Sequence, residues 1–446
     1  MDKTTPVASR AAGRRASVAT VLGCAVEAYD FTVYTYLIVY LAPTFFPSDD
    51  RTAATLASFL VFGAGFVARP LGGLFFGRLG DRIGRRRTLL VTIVLMGVST
   101  IFMGLIPGYA QIGVAASVLL VIARLLQGFS AGGELAGAAV YSAEHASARN
   151  RGRFNAMQPL GFSVGAAIAP AMVALVAAVL PAGAMASWGW RVPLLLVLPL
   201  TLACLAYRLR VHESPQFTEI AAARQAAKTP AKEVLRRHPV AVVQVVALSL
   251  VNGLMAYLII AYLPVYLNTV GHFAPGTVSL MFAIVATVTI PWILASGVLV
   301  DRFGRRPVLI SSLVAVAVLI YPAMYVMGTV ANAVVVTVAI VILLSLVQFV
   351  APPAVATSTG LFPTRIRYTG VALGMTIGSV IGSGFGPYLA ALLTSVTGSP
   401  YAPVLLVVFA AVLGVVIAIV AKPAEAPDAA RPHGTLVPAE QLDNVE

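Results

Sequence analysis

Apolar residues in this chain come in long runs broken by short polar stretches, and the runs recur at nearly regular spacing from end to end. Runs of that length suit helices that cross a bilayer, because about 20 apolar residues rising 1.5 Å each span a hydrocarbon core of roughly 30 Å. The pattern predicts helices at about 17–41, 52–76, 88–107, 112–138, 154–180 and 190–209 in the first half. It predicts six more at about 240–268, 276–300, 307–328, 334–358, 369–395 and 402–421. The one long polar segment between spans, 210–238, is expected to lie on the membrane face as an amphipathic helix. The expected organisation is a tail at 1–16, a six-helix bundle at 17–209, the central loop 210–238, a second six-helix bundle at 239–421, and a disordered Pro- and Ala-rich tail at 422–446.

The polar interruptions add a second layer. Gly77 to Arg87 reads GRLGDRIGRRR, with five arginines and one aspartate in eleven residues between two apolar runs. A weaker copy, GVLVDRFGRRP, runs from Gly297 to Pro307 in the second half. Arg151-Gly-Arg-Phe before the fifth helix is likewise echoed by Arg365-Ile-Arg-Tyr before the eleventh. Glycines four apart follow both: Gly161 and Gly165, then Gly370, Gly374, Gly378 and Gly382. Such spacing lets helices approach closely in lipid. The chain therefore reads as an internal duplication of all-α membrane bundles, a common construction of transporters.

Composition agrees: 59% of the 446 residues are hydrophobic and 11% charged, with a mean hydropathy of +0.91, which excludes an ordinary soluble domain. A net charge of +13 suggests nucleic acid only until the 30 basic residues are placed. Nearly all fall in the terminal tails, the central loop and alternate short loops, all on one side if both termini are cytoplasmic. Arg51 and Arg191 lie on the other side, and Arg69 and Arg124 fall within spans. The basic balance is topology, and no nucleic-acid partner is expected. Cys24 and Cys204 fall inside spans, so neither a disulfide framework nor a metal site is expected. Residues 1–15 are polar and the next apolar run is too long for a cleaved leader, so the first helix is expected to act as an uncleaved insertion signal.

Candidate chemistry lies where charge is buried, since a charge at mid-bilayer costs at least ~2.5 kcal/mol. The candidates are Glu27 and Asp30 in the first helix, Arg69 in the second, and Arg124 and Glu134 in the fourth; helices seven to twelve have none. Glu27, Asp30 and Tyr34 share one face, and Glu27 lies roughly 15 Å into its helix, near the midplane. Two carboxylates one turn apart in a low dielectric do not readily both ionise, so Glu27, Asp30 and Glu134 are the proton-coupling candidates. Arg124 and Gln127 stand on one face with Glu134, and Arg124 needs an anionic partner: Glu27, Asp30 or the substrate itself. Arg69 is read as lying toward the cytoplasmic end, paired with a helix end or a lipid phosphate. Substrate contacts are assigned to Arg124, Gln127, Tyr34 and Gln158 in the first half, and to Asn252, Tyr257, Tyr262 and Gln348 in the second. Asp81, Arg82 and Arg85, with Asp301, Arg302 and Arg305, are the gating candidates, and Trp188 and Trp190 read as interface anchors.

Several segments together resemble the major facilitator superfamily, and within it the metabolite:proton symporters that include citrate, oxoglutarate, shikimate and proline/betaine carriers. They are GRLGDRIGRRR, GCAVEAYDF (23–31), ARPLGG (68–73), RLLQGFSAGGE (124–134), SWGWRVP (187–193), ESPQF (213–217) and LFPTRIRYTG (361–370). The resemblance implies twelve helices around a central cavity, proton-coupled uptake at a bacterial inner membrane, and functional weight for Glu27, Asp30, Asp81, Arg124 and Glu134. The chain departs from the family pattern at Cys24 and Ala28, where Asn and Trp are usual, and at Gly360, where an acidic residue is usual. The first two reshape the expected pocket; the third removes a partner for nearby arginines. The expected function is import of a small carboxylate or zwitterion with protons, by a monomer, with no cofactor beyond the proton. The alternative is a proton-driven exporter. Helix five, GFSVGAAIAP, lacks the proline that exporters tend to carry after the second glycine, although GSGFGP (382–387) imitates it. A membrane enzyme fits least, because no histidine, metal cluster or nucleophile–base pair falls within a span.

Overall fold

The computed structural model describes residues 7–83, 85–145, 151–181, 183–209, 230–362 and 367–421, and among them every regular element is helical. The twelve principal helices begin with α1 (Val7–Phe45), α2 (Arg51–Ile83), α3 (Arg85–Leu105), α4 (Val114–His145), α5 (Arg151–Val179) and α6 (Met185–Leu209). They continue with α7 (Pro239–Thr269), α8 (Pro275–Phe303), α9 (Arg305–Thr329), α10 (Ala333–Gly360), α11 (Arg367–Ser379 continued to Thr397) and α12 (Pro403–Val420). Eleven are long and apolar enough to cross a membrane. The exception is α1, whose 39 residues include Glu27, Asp30 and four tyrosines. Protein surrounds α1 over most of residues 26–42, so Glu27, Asp30, Tyr29, Tyr34 and Tyr36 do not meet lipid. Elsewhere the large side chains on the outside are apolar, such as Leu71, Val298 and Leu405, as a lipid-facing surface requires.

Helix ends follow familiar chemistry. Proline stands in the first turn of α7, α8 and α12, where its missing N–H costs nothing. Asn332 caps α10 by accepting from the Val334 and Val335 amides at 2.9 and 3.3 Å. One expectation needs correction. The arginine-rich segments are not loops: α2 runs to Ile83 and α3 restarts at Arg85, because Arg, Leu and Ile all favour helix. In the copy a single residue, Gly304, separates α8 from α9, with φ +84, a conformation glycine adopts without strain. Of the central loop, 210–229 lies outside the described residues. Its last part, Pro230–Arg237, is helical, with Val234 buried against Val242, Leu361 and Phe362 while Arg236 and Arg237 face out.

Packing repeats between the halves. In α5, Gly161 and Gly165 bring the backbone against the Val21 and Ala25 carbonyls of α1. In α11, Gly378 and Gly382 do the same against the Val246 and Leu250 carbonyls of α7. The two bundles meet along α5 with α8 and along α2 with α11. At that second contact Gly63 and Gly384 face each other so closely that a Cβ on Gly63 would lie 2.9 Å from the Gly384 oxygen. Both α7 and α11 carry one wide π turn, Leu258–Tyr262 and Val380–Gly384. Trp188 is exposed as an anchor should be, but Trp190 is fully buried against Phe45 and belongs to the core.

Candidate functional site

Close backbone contact between α2 and α4 builds the site. Gly128 sits against the Gly65 carbonyl and Gly132 against the Arg69 carbonyl, so the two helices cross without intervening side chains. Their arginines, Arg69 and Arg124, are thereby held against the same α1 ring, Phe31. The α1 face carrying Glu27, Asp30 and Tyr34 is buried against them, with Asp30 and Tyr34 fully enclosed.

The structure pairs these groups differently from the sequence reading. Arg69 is buried and reaches inward, with Nη2 3.5 Å from Glu27 Oε1. Its guanidinium lies 4.1 Å from the Phe31 ring centre and 4.4 Å from that of Phe66. The expected partner, a helix end or lipid phosphate, is wrong, because two aromatic faces and a carboxylate stabilise the cation inside. Glu27 is thus engaged by Arg69, and no carboxylate among the described residues forms an ion pair with Arg124.

Arg124 is fully enclosed and hydrogen-bonds neutral acceptors: the Gln127 side-chain oxygen and, at 3.4 Å, the Phe62 carbonyl. It lies 4.3 Å over the Tyr34 ring, and its Nε has no hydrogen-bond partner. Gln127 is fixed from the other end, donating to Thr100 Oγ1 at 2.7 Å and to the Asp30 carbonyl at 3.2 Å. Tyr34 donates to the Ser58 carbonyl at 3.2 Å. The Asp30 carboxyl faces Thr100, Gln127 and Arg124, yet neither of its oxygens accepts a well-formed hydrogen bond. A carboxyl so placed beside an unneutralised guanidinium can hold a proton or compete for that cation.

The second bundle contributes Tyr257, at the entry to the α7 π turn. Its ring packs on Phe62 and Phe66 at 5.8 and 5.3 Å, and its hydroxyl is within electrostatic reach of Arg69, Glu27 and Arg124. Tyr262 points elsewhere, with its hydroxyl 2.9 Å from Thr394 Oγ1 and its ring beside Phe59. Asn252 in α7 and Gln348 in α10 are half-buried, and no described hydrogen bond joins either to the cluster. The side chains of Glu134, Gln158, Asp81, Arg82 and Arg85 lie outside the described part of the structure. Asp301 and Arg302 are exposed at the end of α8. Arg305 turns inward and donates to the Ala356 carbonyl at 3.0 Å, in the space left by the absent side chain of Gly360.

Sequence reasoning missed Thr100 and the aromatic wall of Phe31, Phe62 and Phe66. Thr100 gave no signal, being one of four hydroxyl residues on an apolar helix with Thr88, Thr92 and Ser99. The wall did: Phe59, Phe62 and Phe66 stand at i, i+3 and i+7 on α2.

Fold and site define a polytopic membrane protein of two related bundles, in which the buried carboxyl and guanidinium groups among the described residues belong to the first bundle. Residues 16–245 match the family described as Sugar (and other) transporter, and residues 270–440 match the Major Facilitator Superfamily. The chain is 36% identical over 403 residues to the inner membrane metabolite transport protein YhjE of Escherichia coli, covering 87% of this chain and 89% of that one. It is 32% identical to the citrate-proton symporter of Klebsiella pneumoniae, covering 93% and 94%. The crystal structure of a D-xylose-proton symporter superposes with a TM-score of 0.76 at 19% identity, covering 91% of this chain and 96% of that one. The chain belongs to the major facilitator superfamily, among its metabolite:proton symporters.

Proposed function

We propose that this protein imports a small carboxylate or zwitterionic metabolite together with a proton, by alternating access across a bacterial inner membrane, with both termini cytoplasmic. One observation carries the reading: Arg124 is fully buried without an ion-pair partner among the described residues, next to an Asp30 carboxyl that faces Thr100 and Gln127 and accepts no well-formed hydrogen bond. A permanent structural cation would be paired, because an uncompensated buried charge is costly. A cation awaiting an anionic ligand is left open.

Asp30 is the proton carrier in this reading, since Glu27 is held by Arg69. Protonation removes the negative charge facing Arg124 and frees the guanidinium for the substrate carboxylate. Deprotonation restores a competitor at the same cation and expels the substrate. Gln127 and Tyr34 orient the guanidinium by hydrogen bond and ring contact, and Tyr257 from the second bundle packs on the Phe62 and Phe66 rings. Asp81, Arg82 and Arg85 in the last turn of α2 and the first of α3, and Asp301, Arg302 and Arg305 at the matching break, serve as the cytoplasmic gate. The kinship with a citrate-proton symporter supports the proton as coupling ion.

The test is uptake into proteoliposomes under an imposed pH gradient, acid outside. Accumulation of a carboxylate or zwitterion above its external concentration supports import. Expulsion of solute driven by the same gradient identifies an exporter instead.

A further inference from the structure

Two guanidinium groups are buried at the seam, and their surroundings are unequal. Arg69 is 3.5 Å from the Glu27 carboxylate, whereas Arg124 hydrogen-bonds only neutral acceptors. The second bundle adds no charge of its own, because residues 239–300, 307–364 and 368–421 contain no Asp, Glu, Lys or Arg. With a proton on Asp30, the described part of the seam offers one uncompensated positive charge. Apart from Gln127, what borders that charge is aromatic: Phe31, Tyr34 and Phe62, with Phe66 and Tyr257 packed on Phe62.

We infer that the site admits a single carboxylate and rejects di- and tricarboxylates, and that Glu27 sets this limit by neutralising Arg69. The inference rests on the symport reading above and goes beyond it by fixing the charge of the substrate. A second carboxylate brought into this seam meets ring faces instead of a cation, and a buried charge without a partner is strongly disfavoured. A substrate whose remainder is uncharged or cationic meets the same ring faces favourably. Glu27 is therefore a specificity-determining residue: without its charge, Arg69 becomes a second anion site, against the same Phe31 ring as the first.

The experiment measures pH-gradient-driven uptake into proteoliposomes. The panel spans aliphatic, hydroxylated and aromatic monocarboxylates, amino-acid and betaine zwitterions, succinate and tricarballylate. The wild type is expected to accumulate monocarboxylates or zwitterions and to exclude succinate and tricarballylate. Glu27→Gln is expected to raise the uptake of succinate relative to the best monocarboxylate by at least about tenfold, the discrimination expected when a buried polar group changes partner. The double variant Glu27→Gln, Arg69→Gln removes both charges and is expected to restore the wild-type exclusion. Because Glu27→Gln alone strands a buried cation, its folding is followed by melting temperature, which succinate is expected to raise in this variant and not in the wild type. If Glu27→Gln does not fold, Glu27→Ser, a smaller neutral side chain that leaves room for a counter-ion beside Arg69, takes its place with the same expected and overturning results. Accumulation of succinate or tricarballylate by the wild type or the double variant overturns the inference and leaves proton symport standing. A folded Glu27→Gln with unchanged selectivity also overturns it. Failure of every compound to accumulate overturns the symport reading itself.

Discussion

The contact of α5 with α1 and that of α11 with α7 are one arrangement made twice, with glycines set against carbonyls in both. Yet the first pair delivers Glu27 and Asp30 to the seam, and the second delivers Tyr257. Duplication has kept the packing while the two copies diverged in what they bury. The buried ion pair lies wholly within one bundle, Glu27 on α1 and Arg69 on α2, and so does the cluster of Asp30, Thr100, Arg124 and Gln127. Relative motion of the bundles therefore breaks aromatic contacts and leaves the charge partners intact. Separating an ion pair inside a membrane costs several kcal/mol, whereas sliding a ring costs far less.

Substitutions sharpen this contrast. The largest effect is expected at Arg124: Arg124→Ala abolishes uptake, and Arg124→Lys, which keeps charge but loses the planar fork, weakens substrate affinity by about tenfold or more. Binding measured by isothermal calorimetry on the purified carrier checks both. If Arg124→Lys binds as tightly as the wild type, the guanidinium is not the carboxylate ligand. Asp30→Asn comes next. It is expected to eliminate accumulation above equilibrium while exchange of labelled for unlabelled substrate continues, because only the proton-linked step is removed. Uphill transport by this variant would place the proton elsewhere.

A third pair addresses packing. Gly128→Ala in α4 and Gly382→Ala in α11 each push a methyl into a facing carbonyl, and each is expected to destabilise by about 2 kcal/mol or more, as overpacking does. Melting temperatures in detergent should fall for both, since the bundles are equal in packing although unequal in chemistry. A drop in one alone would break the equivalence. The smallest effect is expected for Tyr257→Phe, which keeps the ring on Phe62 and Phe66 and removes one hydroxyl. About 1 kcal/mol, near fivefold in affinity, is the scale of one lost hydrogen bond. A loss as large as that of Arg124→Ala would make Tyr257 a primary ligand.

The fold was legible because lipid imposes one length on every span, and nine of the twelve helices lie within about five residues of the apolar runs; α1 begins at Val7, inside the expected tail, and α2 and α4 run seven residues past their expected ends to Ile83 and His145. The arginine-rich segments misled because polarity was read as loop, whereas the helices extend beyond the apolar run to Ile83 and Phe303. At the site, Glu27, Asp30, Arg124 and Gln127 stood out because ionisable groups in hydrocarbon are expensive. Which cation meets which anion did not stand out. That depends on how α2 and α4 cross, and the glycines that set the crossing carry no charge to mark them. Trp190 shows the same limit, since a tryptophan near a span end looks alike whether it faces lipid or Phe45.

The meeting of Gly63 with Gly384 has a mechanical meaning of its own. Two main chains touch there with no side chain from either residue between them, beside the Phe66 ring and at the last residue of the α11 π turn. Surfaces that do not interlock roll on each other as the knuckles of a joint do, so the halves of the molecule possess a smooth fulcrum directly beside the aromatic wall of the arginine pocket. A bulky side chain at Gly63 would act as a wedge against the Gly384 backbone, freezing the carrier in one posture, whereas one at Gly384 would also push Phe66 out of the wall.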